Sequence, residues 1–255
     1  MGTDSLDSQE EPQGENAYNP PASYYRYEEN YISGVPESYA GTIEGIVQEQ
    51  VDNTGGIFLD IGGGTGGLAK EVELKTGTKA ISVDYSYLGN AINPENSVNA
   101  DAARIPLPDG VAAVVHMKDV TEHFDDEKLK KVILEAKRVL IEGGKLIITT
   151  TDYNLEQEKL SVEVFTEGHS LVERLLPGES YREATLRLRQ IRGDELTMGA
   201  INIPRSGEQI IQSVTNQGLI FKESVKWKPE SLDPDWFIAH SPRKILIFEM
   251  RKSKN

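Results

Sequence analysis

The 255-residue sequence contains no cysteine. Disulfides, thiolate metal sites and a cysteine nucleophile are thereby excluded. Histidine is scarce as well. His116, His123, His169 and His240 show no i, i+4 pair, and no H-E-x-x-H occurs, so no metal is expected. No apolar run approaches the ~20 residues that a membrane helix needs. The first residues carry acids where a signal peptide would carry a basic region and an apolar stretch. A soluble, cytoplasmic protein without a membrane partner is the expectation. Basic residues are few, 27 Lys and Arg against 41 Asp and Glu, for a net charge of −14. A general nucleic-acid surface requires a basic face, so nucleic acid is not an expected partner. The length suits one sizeable domain, or one domain with an elaboration, and leaves the oligomeric state open.

Residues 1–22 hold Asp4, Asp7, Glu10, Glu11 and Glu15 and no basic residue. With almost nothing apolar to bury, they read as a disordered acidic leader. From Gly56 onward, short apolar runs alternate with helical patterns. Strands are expected at 57–61 (IFLDI), 79–84 (KAISVD), 97–101 (SVNAD), 111–117 (VAAVVHM) and 145–151 (KLIITTT). A helix is expected over 65–75 with Gly77 as its stop. Another runs from Asp125 or Asp126 to about Ile141, with Leu129, Val132, Ile133, Ala136, Val139 and Leu140 on one face and Gly143-Gly144 ending it. This rhythm means βαβ units and a parallel sheet. The alternation lapses from Asp152 to about Ser206. It resumes with a helix around Ile210, Ile211 and Val214, and strands at 219–227 and 243–250. These last two have no helix between them, so an antiparallel pair is expected.

The stretch Leu59–Glu71, LDIGGGTGGLAKE, holds five glycines. Gly62, Gly64 and Gly67 spell the dinucleotide G-x-G-x-x-G. Asp60, Gly62, Gly64 and Gly66 spell D-x-G-x-G-x-G. A P-loop is excluded, because Leu68 follows Gly67 where a lysine is required. A pyrophosphate bound here would meet the carboxylate of Asp60 and be repelled. S-adenosylmethionine (SAM) has no phosphate, and its sulfonium and ammonium both favour a nearby carboxylate. The glycines allow close backbone approach. Asp84, ending the second strand, can accept from ribose hydroxyls, which suits NAD and SAM equally. Asp101 ends the third strand, where an adenine amino group could be read.

The motifs LDIGGGTGGLA, VDYS, ADAARIPLPDG, DVTEHFDD and AKRVLIEGGKLIITT stand in order over about 95 residues. In this the chain resembles the class I SAM-dependent methyltransferases, close to their type-11 group. The resemblance implies a Rossmann-like α/β fold: a mostly parallel seven-stranded sheet with an antiparallel last strand and helices on both faces. It implies a methyltransferase domain over 23–255, with an N-terminal lid or helix at 23–54 and a substrate cover at 153–205. The cofactor would be SAM, its product S-adenosylhomocysteine. The methyl acceptor would be an O or N atom of a small or medium metabolite. By the same resemblance, Asp60 and the backbone of Gly62, Gly63 and Gly64 hold the methionine part. Asp84 holds the ribose with Tyr85 beside the adenine, Asp101 and the Ala102 N–H read the adenine edge, and Met117 and Lys118 border the site. Three departures are visible: a short Asp84–Val98 connection, Ala112 for the family's aspartate, and Glu142 for the proline before Gly-Gly.

His123, in DVTEHF, could take a proton from an O or N nucleophile, or could merely hydrogen-bond the loop. Asp119 and Glu122 are alternatives, and His116, inside an apolar strand, reads as structural. The segment YYRYEENY (24–31) contributes Tyr24, Tyr25, Tyr27 and Tyr31, as a lid or as packing on the sheet. Tyr27, Tyr31, Lys118 and Tyr153 are the expected substrate contacts. Tyr181, Arg182, Arg187, Arg189 and Arg192 could clamp a substrate anion or pair with neighbouring acids. Asn19-Pro20-Pro21 stands far before the first strand, whereas a base N-methyltransferase tetrad belongs after the fourth, where KDVTEHF stands. Non-catalytic SAM binding, or methylation of protein or RNA, is the alternative function.

Overall fold

The computed structural model describes residues 37–85, 93–151, 161–166, 169–174, 176–177, 187, 198–203, 205–227 and 243–252. In chain order these form α1 (Glu37–Thr54), β1 (Ile57–Ile61), α2 (Gly67–Thr76), β2 (Ala80–Asp84), β3 (Ser97–Asn99) and β4 (Ala112–Lys118). A 3₁₀ turn (Thr121–His123), α3 (Asp126–Val139) and β5 (Leu140–Thr151) follow. Then come β6 (Ser161–Thr166), β7 (His169–Arg174), β8 (Met198–Asn202), α4 (Gly207–Thr215), β9 (Ile220–Trp227) and β10 (Arg243–Glu249). One sheet has seven strands in the order β3-β2-β1-β4-β5-β10-β9. β1, β2, β3, β4 and β5 pair in parallel, and β10 runs antiparallel to both β5 and β9.

The central strands β1 and β4 are buried on both faces because helices cover both. Leu59, Ile61, Val115, Met117, Leu146 and Ile148 pack under α3 and α4. Phe58, Val114, Ile147 and Ile245 pack under α1 and α2. α1 contributes Tyr39, Ala40, Ile43 and Val47, all essentially buried and spaced to share one helical face. Burying each large aliphatic side chain contributes about 1.5–3 kcal/mol. α3 is capped by Asp125, whose side chain accepts from the Lys128 N–H at 2.7 Å. Acids fill its first turn and Lys137 and Arg138 its last, the arrangement the helix dipole favours.

One expectation is corrected. α3 stops at Val139 and not near Ile141, and β5 begins at Leu140 and runs through Gly143-Gly144. Leu140 pairs with Ala112, and a bulge absorbs the offset before Lys145 meets Val114. The glycine pair is held by β10's end, through Gly143 N–H to Met250 O and Met250 N–H to Gly144 O. Where the strand–helix alternation lapses, the described residues form a second sheet, β7-β6-β8, antiparallel throughout. The leader at 1–22, Tyr24, Tyr25, Tyr27, Tyr31, Tyr153, Tyr181, Arg182, Arg189 and Arg192 lie outside the described residues.

Candidate active site

The carboxyl ends of β1, β2, β3 and β4 lie side by side, where open α/β sheets bind ligands. From β1 the chain enters the glycine loop. Gly62 has φ 73°, and its N–H donates to Val83 O at 2.7 Å. A Cβ there would meet Val120 Cγ2 at 2.6 Å, so both conformation and space require glycine. At Gly63 a Cβ would lie 2.7 Å from Asp60 Oδ2 and press on Ser82 Oγ. Gly64 N–H donates to Asp84 Oδ2 at 2.9 Å. Asn93 Nδ2 donates to Thr65 O at 2.5 Å. The loop is thus stitched to β2 and to the segment before β3. Ser82 Oγ and Ser97 Oγ are buried near Gly63 and Gly66, with no hydrogen-bond partner among the described residues.

Asp60 is 3% exposed, with Oδ1 2.7 Å from His116 Nδ1. Tyr85 is exposed at the end of β2. Asp101 accepts from Ala103 N–H at 2.8 Å and from Lys128 Nζ, which reaches Oδ2 at 2.6 Å. Burial would raise the Asp101 carboxyl, but Lys128 and the backbone bond draw it below its usual range. Ala102 stands half-buried beside it. The side chain of Met117 is fully buried in the core under α3.

Beyond β4 the chain makes an unusual turn. Asp119 is a non-glycine residue with φ 49°, a conformation Asp tolerates better than most. Its N–H donates to Thr149 O at 3.0 Å. Arg243, the first residue of β10, grips its carboxylate through Nε at 3.1 Å and Nη2 at 3.0 Å, and Lys118 Nζ lies 3.0 Å away. Burial opposes the charge, but Lys118 and Arg243 outweigh it and hold the carboxyl at about 2. His123 is half-buried at the end of the 3₁₀ turn, its N–H on Val120 O at 3.1 Å. Glu122 is buried, and its carbonyl accepts from Ile203 N–H just after β8.

Arg205 fastens this turn from the other side. Buried itself, it donates to Thr121 O and Phe124 O at 2.8 Å each and to Asp126 at 2.7 Å. Arg205, Arg243, Lys128 and Tyr39 were not singled out from sequence. Each works through a partner dozens of residues away, and a lone basic or tyrosine residue in sequence carries no sign of that. Among the described residues no cluster of His, Asp and Glu could hold a metal ion, and no helix is long and apolar enough to cross a membrane.

Residues 59–148, from the glycine strand to the middle of β5, match the family model of a methyltransferase domain. Over those residues the chain is similar to a methyltransferase domain. The matched span holds Asp60, the glycine loop, Asp84, Asp101, Met117, Asp119 and His123. Solved structures share the fold well beyond it. An S-adenosylmethionine-dependent methyltransferase from Clostridium acetobutylicum ATCC 824 is 15% identical, with 90% of this chain and 98% of that one covered and a TM-score of 0.57. A geranyl diphosphate methyltransferase, solved with GPP and sinefungin, is 15% identical over 82% of this chain and 77% of that one, at a TM-score of 0.52. The [4+2]-cyclase SpnF is 14% identical over 93% of this chain and 100% of that one, at 0.54. No curated protein matches the chain. At such identities the likeness concerns architecture, and the fold is that of the class I methyltransferases.

Proposed function

We propose that the chain moves a methyl group from SAM to an oxygen or nitrogen atom of a small or medium metabolite. One observation carries this reading: carboxylates surround a bared glycine backbone, with Asp60 buried behind Gly63 and Asp84 bonded to Gly64 N–H. Asp84 suits either cofactor, but the Asp60 carboxylate repels a pyrophosphate and favours a cofactor whose charges are a sulfonium and an ammonium.

In this reading Asp60 and the Gly62–Gly64 backbone hold the methionine part, Asp84 the ribose and Tyr85 one face of the adenine. Asp101 and the Ala102 N–H address the adenine edge, with Lys128 fixing the carboxylate, and Met117 borders the site. When bound, SAM supplies an electrophilic methyl group on a positively charged sulfur. The residues of the chain align the acceptor, exclude water and, at His123, accept a proton. Asp119 is a poor base, because its carboxyl is held at about 2. Lys118, Tyr27, Tyr31 and Tyr153 are the residues this reading assigns to contact with the acceptor.

The likeness to a protein named as a [4+2]-cyclase favours one second reading, SAM held without methyl transfer, since fold alone does not fix chemistry. Incubating the chain with methyl-labelled SAM and metabolite extracts, then reading labelled products by mass spectrometry, separates the two. A labelled small molecule that disappears with Asp60→Ala supports transfer. SAM binding with no labelled product supports the second reading.

A further inference from the structure

Asp60, His116, Tyr39 and Thr149 form a buried line of hydrogen bonds that joins β1, β4, α1 and β5. His116 Nδ1 is 2.7 Å from Asp60 Oδ1, His116 Nε2 is 2.7 Å from Tyr39 Oη, and Tyr39 Oη is 2.6 Å from Thr149 Oγ1. His116, Tyr39 and Thr149 are fully buried. A carboxylate only accepts, so Nδ1 donates to Asp60. With the single ring proton on Nδ1, Nε2 accepts from the Tyr39 hydroxyl, which in turn accepts from Thr149. All the donors point one way, toward Asp60, and each bond polarises the next. Burial pushes the Tyr39 hydroxyl well above its ordinary range, which keeps it a donor.

The line commits one oxygen of Asp60 and turns the other, Oδ2, toward Gly63, where an added Cβ would stand 2.7 Å away. We infer that His116 and Tyr39 are positioning residues: they present Asp60 Oδ2 to the cationic amino-acid end of the cofactor and couple that contact to the docking of the first turn of α1. The inference rests on the proposed cofactor. Tyr39 suits this role by its position, two residues into α1 with its ring edge-on to Trp227 at 5.2 Å. Below it α1 docks through apolar Ile43 and Val47 and through Gln50, whose Nε2 donates to Gly143 O at 2.9 Å; of these contacts only the Tyr39 line reaches Asp60.

The test compares S-adenosylhomocysteine with 5′-methylthioadenosine, which keeps the nucleoside and thioether but lacks the amino-acid end. Calorimetry on the full chain gives both dissociation constants, and thermal melts check that each variant folds. His116→Phe is expected to weaken S-adenosylhomocysteine about tenfold, the scale of a hydrogen bond to a charged group, with methylthioadenosine unchanged. His116→Asn, which keeps an N–H near the Nδ1 position, is expected to recover most of that loss. Tyr39→Phe keeps the ring in place and is expected to weaken S-adenosylhomocysteine alone by about threefold, through lost polarisation of the line; it carries the test if His116→Phe does not fold. Equal losses for both ligands would mean a purely structural role and overturn the inference, as would folded variants that bind S-adenosylhomocysteine normally. Binding of neither nucleoside by the wild-type chain would overturn the cofactor reading itself, and this inference with it.

Discussion

The backbone N–H of Gly64 donates to Asp84 Oδ2 at 2.9 Å, across 20 residues of sequence. One carboxylate therefore shapes the glycine loop, and in the proposed reading it also holds the ribose. Asp84→Ala is expected to weaken SAM binding by about 1–3 kcal/mol, the scale for a hydrogen bond to a charged group. Asp84→Asn keeps an oxygen for Gly64 N–H and should lose less. Calorimetric dissociation constants check both. An unchanged constant in Asp84→Ala would mean that this carboxylate does not hold the ribose.

The Asp119–Arg243 pair supplies a pH signature. An aspartate that titrates near 3.9 in the unfolded chain and at about 2 in the fold has a lowered folded value. Its stabilisation is therefore fully present above pH ~4 and is lost as the pH falls through ~2. Arg243→Gln is expected to cost about 2–4 kcal/mol at pH 7, because it leaves a half-buried carboxylate with Lys118 as its remaining cation partner among the described residues. The variant should also lose less on acidification from pH 4 to pH 2 than the wild type. Denaturant unfolding at pH 7, 4, 3 and 2 measures both effects.

Arg205 holds the turn that carries His123 by bonding the carbonyls of Thr121 and Phe124. Arg205→Ala is expected to destabilise the protein by about 2–3 kcal/mol, since it orphans buried acceptors. Hydrogen exchange at Thr121–Phe124 should quicken more than exchange in β1 or β4. Arg205→Lys cannot reach two carbonyls and Asp126 with one ammonium and should restore little. Uniform acceleration across the sheet would mean that Arg205 supports the fold as a whole and has no special hold on the turn.

Much of this architecture was legible in the sequence, because local signals and tertiary packing agree. Val111–Met117 is a continuous apolar run and β4 is covered on both faces; Gly77 follows α2 and closes it at φ 69°. The end of α3 was misread because Leu140 satisfies helical spacing and strand burial equally, and its pairing with Ala112 decides the matter. β6 was passed over although Val162 and Val164 alternate, since six residues are too few to outweigh the polar stretch around them. The acids of the glycine loop were visible because a motif binds them together. The Tyr39–His116 bond spans 77 positions, Arg205–Thr121 84 and Arg243–Asp119 124. No local pattern encodes such pairs, so the supports of the site emerge only when the chain is folded.

The cofactor assignment stands on Asp60 behind the glycine loop, and titration of the full chain by calorimetry with SAM, S-adenosylhomocysteine and NAD addresses it without knowledge of the methyl acceptor. The expected result is saturable binding of SAM and S-adenosylhomocysteine and no binding of NAD. Tight binding of NAD with none of SAM would contradict the account.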